Sequence, residues 1–177
     1  DANALEDLLK KKHNEIGTLM IEPILGNCCS ISATQEYMQA VRDLCDKYDI
    51  VLIIDEVKTG FRVAKGGVQE LYGIEADLCT FAKSIANGYP IAALCGKEEY
   101  MRHIKYGGVL HGGTFTAHSV AISAANKTLE IIQNTDALET VANYGSKLKE
   151  GISDILKKKD IPHSFTGHPS MSGLFFS

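Results

Sequence analysis

The sequence predicts an α/β fold built on a mainly parallel sheet, and three features carry that expectation. Short apolar runs alternate with segments of helical periodicity through most of the chain. The run Val51-Leu52-Ile53-Ile54 is continuously apolar, as in a strand buried on both faces of a parallel sheet. It ends in Asp55-Glu56, and the short apolar run 77–82 ends in Lys83. Charged residues therefore fall at the carboxyl ends of strands, where α/β proteins place their chemistry.

Taken in order, residues 4–12 carry Leu5, Leu8 and Leu9 at helical spacing. Residues 18–24 read as a strand closed by Pro23 and Gly26. Residues 33–47 predict a helix with Ser32 as candidate N-cap, Gln35 and Glu36 in the first turn and Asp49 at the close. The strand 50–54 follows, then a glycine-containing loop over 58–67, a short helical piece over 68–72 and a strand over 78–81. Asn87-Gly88-Tyr89-Pro90 is a turn, and 91–95 reads as another buried strand. Residues 106–116 are glycine-rich and predict a loop near a ligand. A long helix over 117–133 has Ala121, Ala124 and Ala125 small enough for close packing, and a second runs over 138–158. Pro162 and the strand-like 173–176 begin something new. The shift after Asn134 sets a boundary near residue 135, giving units 1–135 and 136–177. Neither an internal repeat nor a low-complexity segment is visible.

Composition narrows the function classes. Apolar content of 45% and charged content of 23% suit a globular domain. A net charge of -4 leaves no electrostatic footprint for nucleic acid or an anionic membrane, so neither is expected as a partner. The triplets Lys10-Lys11-Lys12 and Lys157-Lys158-Lys159 each follow a helical pattern and read as solvated helix ends. No apolar run approaches the roughly 20 residues that span a bilayer. The cysteines, Cys28, Cys29, Cys45, Cys79 and Cys95, are odd in number and lack CxxC spacing. Buried reduced thiols in a cytoplasmic protein fit them better than a disulfide framework or a zinc site. The start at Asp1 has neither initiator Met nor signal-peptide pattern, and the end reads as the middle of a strand; both predict a piece of a longer protein.

Asp55 is the first residue with chemistry to offer. A carboxylate in reach of a pyridine nitrogen keeps that nitrogen protonated, which makes the ring an electron sink. On this motif alone two other readings stand beside it: a helix cap or arginine partner, and the magnesium strand of a P-loop NTPase. Lys83 separates them. A lysine at a neighbouring strand end, its pKa lowered by burial beside a cationic ring, is a nucleophile and a general base. An acid and an amine so placed suit a carbonyl cofactor with a basic ring nitrogen, which is pyridoxal phosphate. The GxxxxGK[ST] that an NTPase requires is missing before Asp55.

Thr114, in His111-Gly112-Gly113-Thr114-Phe115-Thr116, precedes the helix expected from 117. Backbone amides at a helix N-terminus and a threonine hydroxyl form a phosphate site, and the glycines allow close approach. An N-cap by Thr114 or Thr116 without any ligand is the other reading. His111 and His118 are a weak metal signal with no third ligand, so no metal site is assigned.

Four segments together resemble a known family: Glu22-Pro23-Ile24; Ile53-Ile54-Asp55-Glu56-Val57-Lys58-Thr59-Gly60-Phe61-Arg62; Ala82-Lys83-Ser84-Ile85-Ala86-Asn87-Gly88-Tyr89-Pro90; and Gly113-Thr114-Phe115. In this order and spacing they are similar to the class III pyridoxal-phosphate aminotransferases, over nearly the whole chain. The resemblance implies the fold-type I architecture, with a large seven-stranded, mainly parallel domain, a small α+β C-terminal domain, and a homodimer with shared active sites. It implies that Asp55 binds the pyridine nitrogen, Val57 packs on the ring, and Lys83 forms the Schiff base and shuttles the proton. It implies that Thr114 binds the phosphate of the cofactor held by the neighbouring subunit. The substrates implied are an amine or amino acid and a keto or aldehyde acceptor.

Departures from the pattern are informative. Ornithine and 4-aminobutyrate transaminases carry glutamine after Asp-Glu-Val and glutamate after Pro-Ile-Gln-Gly; here those positions are Lys58 and Asn27. Asn27, Thr59 to Ala64 and the run 66–74 resemble the glutamate-1-semialdehyde aminomutase branch more closely, although Lys58 fits neither branch. A second lysine near the cofactor's phenolic oxygen lowers the phenol's pKa, contacts an acidic substrate, or points to solvent. The two histidines and the missing proline after Phe115 are further departures. The family's glycine-serine phosphate cup and ring-stacking aromatic fall before Asp1, and its carboxylate-binding arginine after Ser177, so these 177 residues alone are expected to be inactive. Two functional readings of one mechanism remain, transamination and intramolecular amino transfer. A non-catalytic assembly protein that kept the fold is the reading of another class.

Overall fold

The computed structural model describes residues 1–105 and 108–176; Tyr106 and Gly107, which open the glycine-rich stretch, and Ser177 lie outside the described residues. Helix α1 (Ala2–Lys12) leads to strand β1 (Thr18–Ile21), a small hairpin of β2 (Ile24–Leu25) and β3 (Ile31–Ser32), helix α2 (Gln35–Tyr48) and strand β4 (Val51–Asp55). Helix α3 (Gly67–Tyr72), strand β5 (Leu78–Phe81), strand β6 (Ala93–Gly96) and helix α4 (Glu98–Lys105) follow. The chain ends with α5 (Ser119–Asn134), α6 (Ala137–Lys158), β7 (His163–Thr166) and β8 (Gly173–Phe176).

The main sheet has the order β1-β4-β5-β6. Strand β4 lies between two parallel neighbours, with Ile21 opposite Ile54 and Asp55 opposite Thr80, while β6 runs antiparallel to β5. Leu52 and Ile54 are fully buried against Leu9 of α1 and Met38, Val41 and Cys45 of α2. Side chains alternate across a strand, so Val51, Ile53 and Asp55 point the other way, and that face is only half-buried. The expectation of a strand buried on both faces is met on one. Strand β6 starts two residues later than expected and is mostly exposed, because it is the last strand of the described sheet.

Local chemistry sets the ends. Asp1 caps α1 by accepting from the amides of Asn3 and Ala4, and Lys10 to Lys12 occupy its last turn, where the helix dipole favours cations. Helix α2 is capped by Thr34, which accepts from the Tyr37 amide at 3.2 Å, rather than by Ser32; Ser32 is held in β3. Asp49 closes α2 in the left-handed conformation, as the sequence predicts. Helix α4 is absent from the sequence reading, although Glu98 and Glu99 in its first turn are a start signal. Helix α6 extends to Lys158, so the second lysine triplet does end a helix.

Two further packing units hold the loops at the sheet's carboxyl edge. Ile85 and Ala86, in a one-turn helix over Lys83–Ala86, pack on Ala125 of α5 with Phe61 and Phe81 beside them. Ile24, Val63 and Val68 form a smaller cluster, completed by Met171 from the β7–β8 connection. Of the cysteines only Cys45 is fully buried, and burial pushes its thiol up to about 11. Cys28, Cys29 and Cys95 are exposed, against the expectation of buried thiols, because they sit in the β2–β3 turn and in β6.

Candidate active site

Parallel pairing brings the carboxyl ends of β4 and β5 side by side, so Asp55 and Lys83 leave the sheet at the same edge. Asp55 Oδ1 accepts from the Val57 amide at 2.8 Å and from the Thr80 hydroxyl at 3.4 Å. These bonds fix the carboxylate's orientation, and Oδ2 takes no hydrogen bond among the described residues. Val57, two residues on, is half-buried.

Lys83 opens its one-turn helix with φ of +49°, a left-handed conformation that costs a non-glycine residue about 1 kcal/mol or more and clusters at functional sites. The packing of Ile85 and Ala86 on α5 holds the turn there. The Lys83 side chain is exposed rather than buried as the sequence suggested, and no acceptor or carboxylate engages it among the described residues. It lines a cleft of about 470 Å³ with Arg62, Ser84, Asn87 and Tyr89. It also lines a smaller cavity of about 250 Å³ with Lys58, Arg62, Ser30, Met171 and Ser172.

The loop 57–66 supplies the other two cations, and the buried Glu56 organises it. Glu56 accepts from the Thr59 hydroxyl, from the Val68 amide at 3.0 Å and from the Gln69 amide at 3.0 Å, which caps α3. Gly67 has φ of +71°, and a Cβ there would run into the Glu56 carboxylate, so only glycine fits. Sequence reasoning gave Glu56 no role; the signal was a carboxylate three residues before Thr59 and eleven before Gly67. Lys58 and Asn27, the two departures from the transaminase pattern, are hydrogen-bonded to each other, Lys58 Nζ donating to Asn27 Oδ1. Gly26 makes room for this, because a Cβ there would meet the Lys58 stem. Arg62, quoted in the motif without a role, has a buried Nε that finds no acceptor among the described residues.

Thr114 is not brought to this edge. It lies exposed in a turn that lines a second cleft of about 790 Å³ with His111 and Phe115, which shares Pro90 and Ile91 with the cleft at Lys83. Ala117 takes a left-handed φ of +57°, so α5 starts only at Ser119. Its cap is His118, whose Nδ1 accepts from the Ala121 amide at 3.3 Å, rather than Thr114 or Thr116. His118 therefore has a structural task, and no cluster of three metal-ligating side chains occurs among the described residues. None of the helices described is long and apolar enough to cross a membrane.

A family model described as "Aminotransferase class-III" matches residues 2–177. A glutamate-1-semialdehyde 2,1-aminomutase of Clostridium botulinum is 40% identical over all of the chain, which spans 42% of that protein's length. The solved internal aldimine form, with PLP, of the FumI protein of Sphingopyxis sp. MTA144 superposes with a TM-score of 0.91 at 31% identity, over the whole chain and 43% of that structure. An omega-transaminase of Sphaerobacter thermophilus superposes with a TM-score of 0.87 at 29% identity, over 96% of the chain and 39% of that structure.

Proposed function

The chain belongs to the class III aminotransferase family and takes up part of its fold-type I architecture, and from that premise we propose that the protein carrying it transfers an amino group from an amine or amino acid to a keto or aldehyde acceptor, with pyridoxal phosphate held on Lys83. One observation carries the reading: at one edge of the parallel sheet, Asp55 and Lys83 end neighbouring strands, each with a polar atom unengaged by the described residues.

The residues fit the cofactor. Asp55 Oδ2 is an available acceptor for a pyridinium N–H, and its bonded partner Oδ1 holds the carboxylate still. Pyridoxal phosphate, when bound, links to the substrate amine and withdraws electrons from the adjacent carbon. Val57, its amide bonded to Asp55 and its side chain half-buried, would offer an apolar surface for one face of the ring. Lys83 Nζ is the amine that holds the cofactor and, once released, takes a proton from the substrate carbon and returns it elsewhere. In transamination Lys83 would return the proton so that the amino group passes to a separate carbonyl acceptor; in an aminomutase it would pass to a neighbouring carbon of the same molecule. The 40% identity to a glutamate-1-semialdehyde 2,1-aminomutase favours the second outcome as the alternative.

Thr114 is assigned to the cofactor phosphate of a neighbouring subunit. Its exposed turn, set apart from Lys83 by the Tyr89-Pro90-Ile91 segment, suits a contact made across a homodimer interface rather than within one chain. A cytoplasmic location fits the free cysteines. The division into units 1–135 and 136–177 fits the short link between α5 and α6.

The test is the absorbance spectrum of the whole protein before and after borohydride. A visible-edge band, trapped by borohydride and lost in Lys83→Ala, is the expected result. A protein that stays colourless when given pyridoxal phosphate overturns the assignment in favour of a retained scaffold.

A further inference from the structure

Strands β5 and β6 bring two cysteines face to face. Cys79 lies directly opposite Cys95 in their antiparallel ladder. Residues so paired put their side chains on the same face, with β-carbons about 4.5–5.5 Å apart. A disulfide draws its β-carbons to about 3.5–4.5 Å, so a shift of about 1 Å closes the gap. The register beside the pair is pinned. The Lys97 amide donates to Asp77 O at 3.0 Å, and the Lys97 ammonium meets the Asp77 carboxylate at 2.6 Å. The two strands also lie close here, since a Cβ on Gly96 would run into Leu78 and the Asp77 carbonyl. The other cysteines are placed differently: Cys45 is buried in α2, and Cys28 and Cys29 are neighbours in the β2–β3 turn.

The two thiols are unequal. Cys95 is exposed, whereas Cys79 is half-buried. Burial holds the Cys79 thiol above its ordinary range; a hydrogen bond with the Gln69 side chain opposes this, and the Cys95 thiol and Glu56 carboxylate add to it. An accessible thiol beside a protected one is how an oxidant-sensing cysteine and its resolving partner are arranged. Gln69 also ties the pair to the loop at the carboxyl edge. Its amide donates to Glu56 Oε1 and its Oε1 accepts from the Ala76 amide, both at 3.0 Å.

We propose that Cys95 and Cys79 form a reversible oxidation site, closed by hydrogen peroxide into a disulfide between β6 and β5 and reopened by a dithiol. In the first step the Cys95 sulfur attacks one peroxide oxygen and the O–O bond breaks. The sulfur keeps that oxygen as a sulfenic acid, and the other leaves as water with the thiol proton. In the second step the Cys79 sulfur attacks the sulfenic sulfur. The S–S bond forms, the S–O bond breaks, and the hydroxyl takes the Cys79 proton and leaves as a second water. Two thiols thus give two electrons to one peroxide, yielding one disulfide and two waters. Closure draws the Cys79 sulfur towards β6 and away from Gln69, which slackens the Glu56 brace on the residues around it. A bridge pulled tighter than the strand spacing is strained, hence readily reduced, as transient disulfides in reducing compartments are. The site stands independently of the proposed function, because neither thiol belongs to the cleft at Lys83.

The experiment treats the whole protein with hydrogen peroxide, blocks the remaining thiols with iodoacetamide and maps the tryptic peptides by mass spectrometry. Cleavage after Lys65, Lys83 and Lys97 puts Cys79 in peptide 66–83 and Cys95 in peptide 84–97. The expected product is these two peptides joined, lighter than their sum by two hydrogens and separated by dithiothreitol. Before oxidation, Cys95 alkylates about 10-fold faster than Cys79 or the buried Cys45. In Cys79→Ser the bridge cannot form, and Cys95 is left as a sulfenic acid that dimedone traps. In Cys95→Ser, a change at an exposed position, Cys79 stays reduced. Amide exchange over residues 67–69 quickens in the oxidised wild type and recovers on reduction. A Cys95 that resists iodoacetamide in the native protein, or that goes on to the sulfinic acid without a cross-link, overturns the site. A bridge from Cys95 to any other cysteine overturns the pairing, and a Cys79–Cys95 bridge with unchanged exchange overturns the link through Gln69.

Discussion

Around Asp77, cations are matched by anions. Its side chain is 5% exposed, and it accepts from Arg42 at 3.0 Å, Lys97 at 2.6 Å and the Leu52 amide at 2.7 Å; Arg42 also meets Asp46 at 2.7 Å. At the opposite end of the same strands, Lys58, Arg62 and Lys83 line a cavity that no carboxylate lines among the described residues. Both places gather cations on one sheet, but they solve different problems. A buried carboxylate needs partners or it destabilises the fold, so every charge of the Asp77 cluster is paired, although the buried Arg42 Nε, like that of Arg62, finds no acceptor among the described residues. The cluster at the carboxyl edge is left open among the described residues, and its field is available to an incoming anion.

Breaking the closed cluster has the largest expected effect. Asp77→Asn leaves Arg42 half-paired at low exposure and strips Lys97 of its partner, and about 3 kcal/mol of stability is expected to go. The midpoint of chemical denaturation reads it. The same cluster sets an acid limit. Burial pushes the Asp77 carboxyl up, but Lys97, the Leu52 amide and Arg42 together outweigh that and hold it below the ordinary carboxylate range. A depressed folded-state value means that the contribution is present above the unfolded value of about 3.9 and is lost as pH falls through the folded one. Wild-type stability therefore declines below about pH 4, and Asp77→Asn lacks that part of the decline.

A smaller effect comes from Glu56, which joins the structural and functional regions. Glu56→Gln replaces an acceptor-only group with one that carries an NH2, and one of the Val68 or Gln69 amides loses its partner. About 1–3 kcal/mol is expected to be lost. The loss is local, so amide exchange should quicken over residues 57–69 while β1 and α2 stay protected. Uniform quickening across the sheet would show that Glu56 supports the whole fold and does not specifically brace the loop that carries Lys58 and Arg62.

Legibility in the sequence followed the range of the interactions. The strand at 51–55, its carboxyl-end acid and the lysine one strand later were readable, because a parallel sheet brings consecutive strand ends to one edge. Helix α2 was readable from periodicity, and only its cap was displaced, from Ser32 to Thr34. Strand β8 was read at 173–176, but the hairpin β2–β3 and strand β7 were missed because two- to four-residue strands are too short for a pattern. Lys58 and Asn27 were each noticed as oddities, but 31 positions separate them, and nothing in the sequence says that they touch. The burial of Lys83 was overestimated because a lysine after an apolar strand says nothing of which turn follows; here a left-handed residue turns it outward.

The smallest expected effect sharpens the comparison most. Lys58→Met removes a charge that has no counter-ion among the described residues and exchanges it for an apolar side chain of similar length, at a half-buried position. Its one hydrogen bond goes to an exposed amide that water can serve equally. Stability should therefore change by no more than about 0.5 kcal/mol in either direction, the range of surface substitutions that break no buried network. Relief of repulsion among Lys58, Arg62 and Lys83 even leans the sign towards stabilisation, more so at low salt, where the screening length is longest. If the same denaturation experiment that penalises Asp77→Asn penalises Lys58→Met by a comparable amount, the cations at this edge are holding the fold together, and the distinction between closed and open clusters fails. If Lys58→Met is neutral or stabilising, the charge is kept at a standing cost for a purpose other than folding.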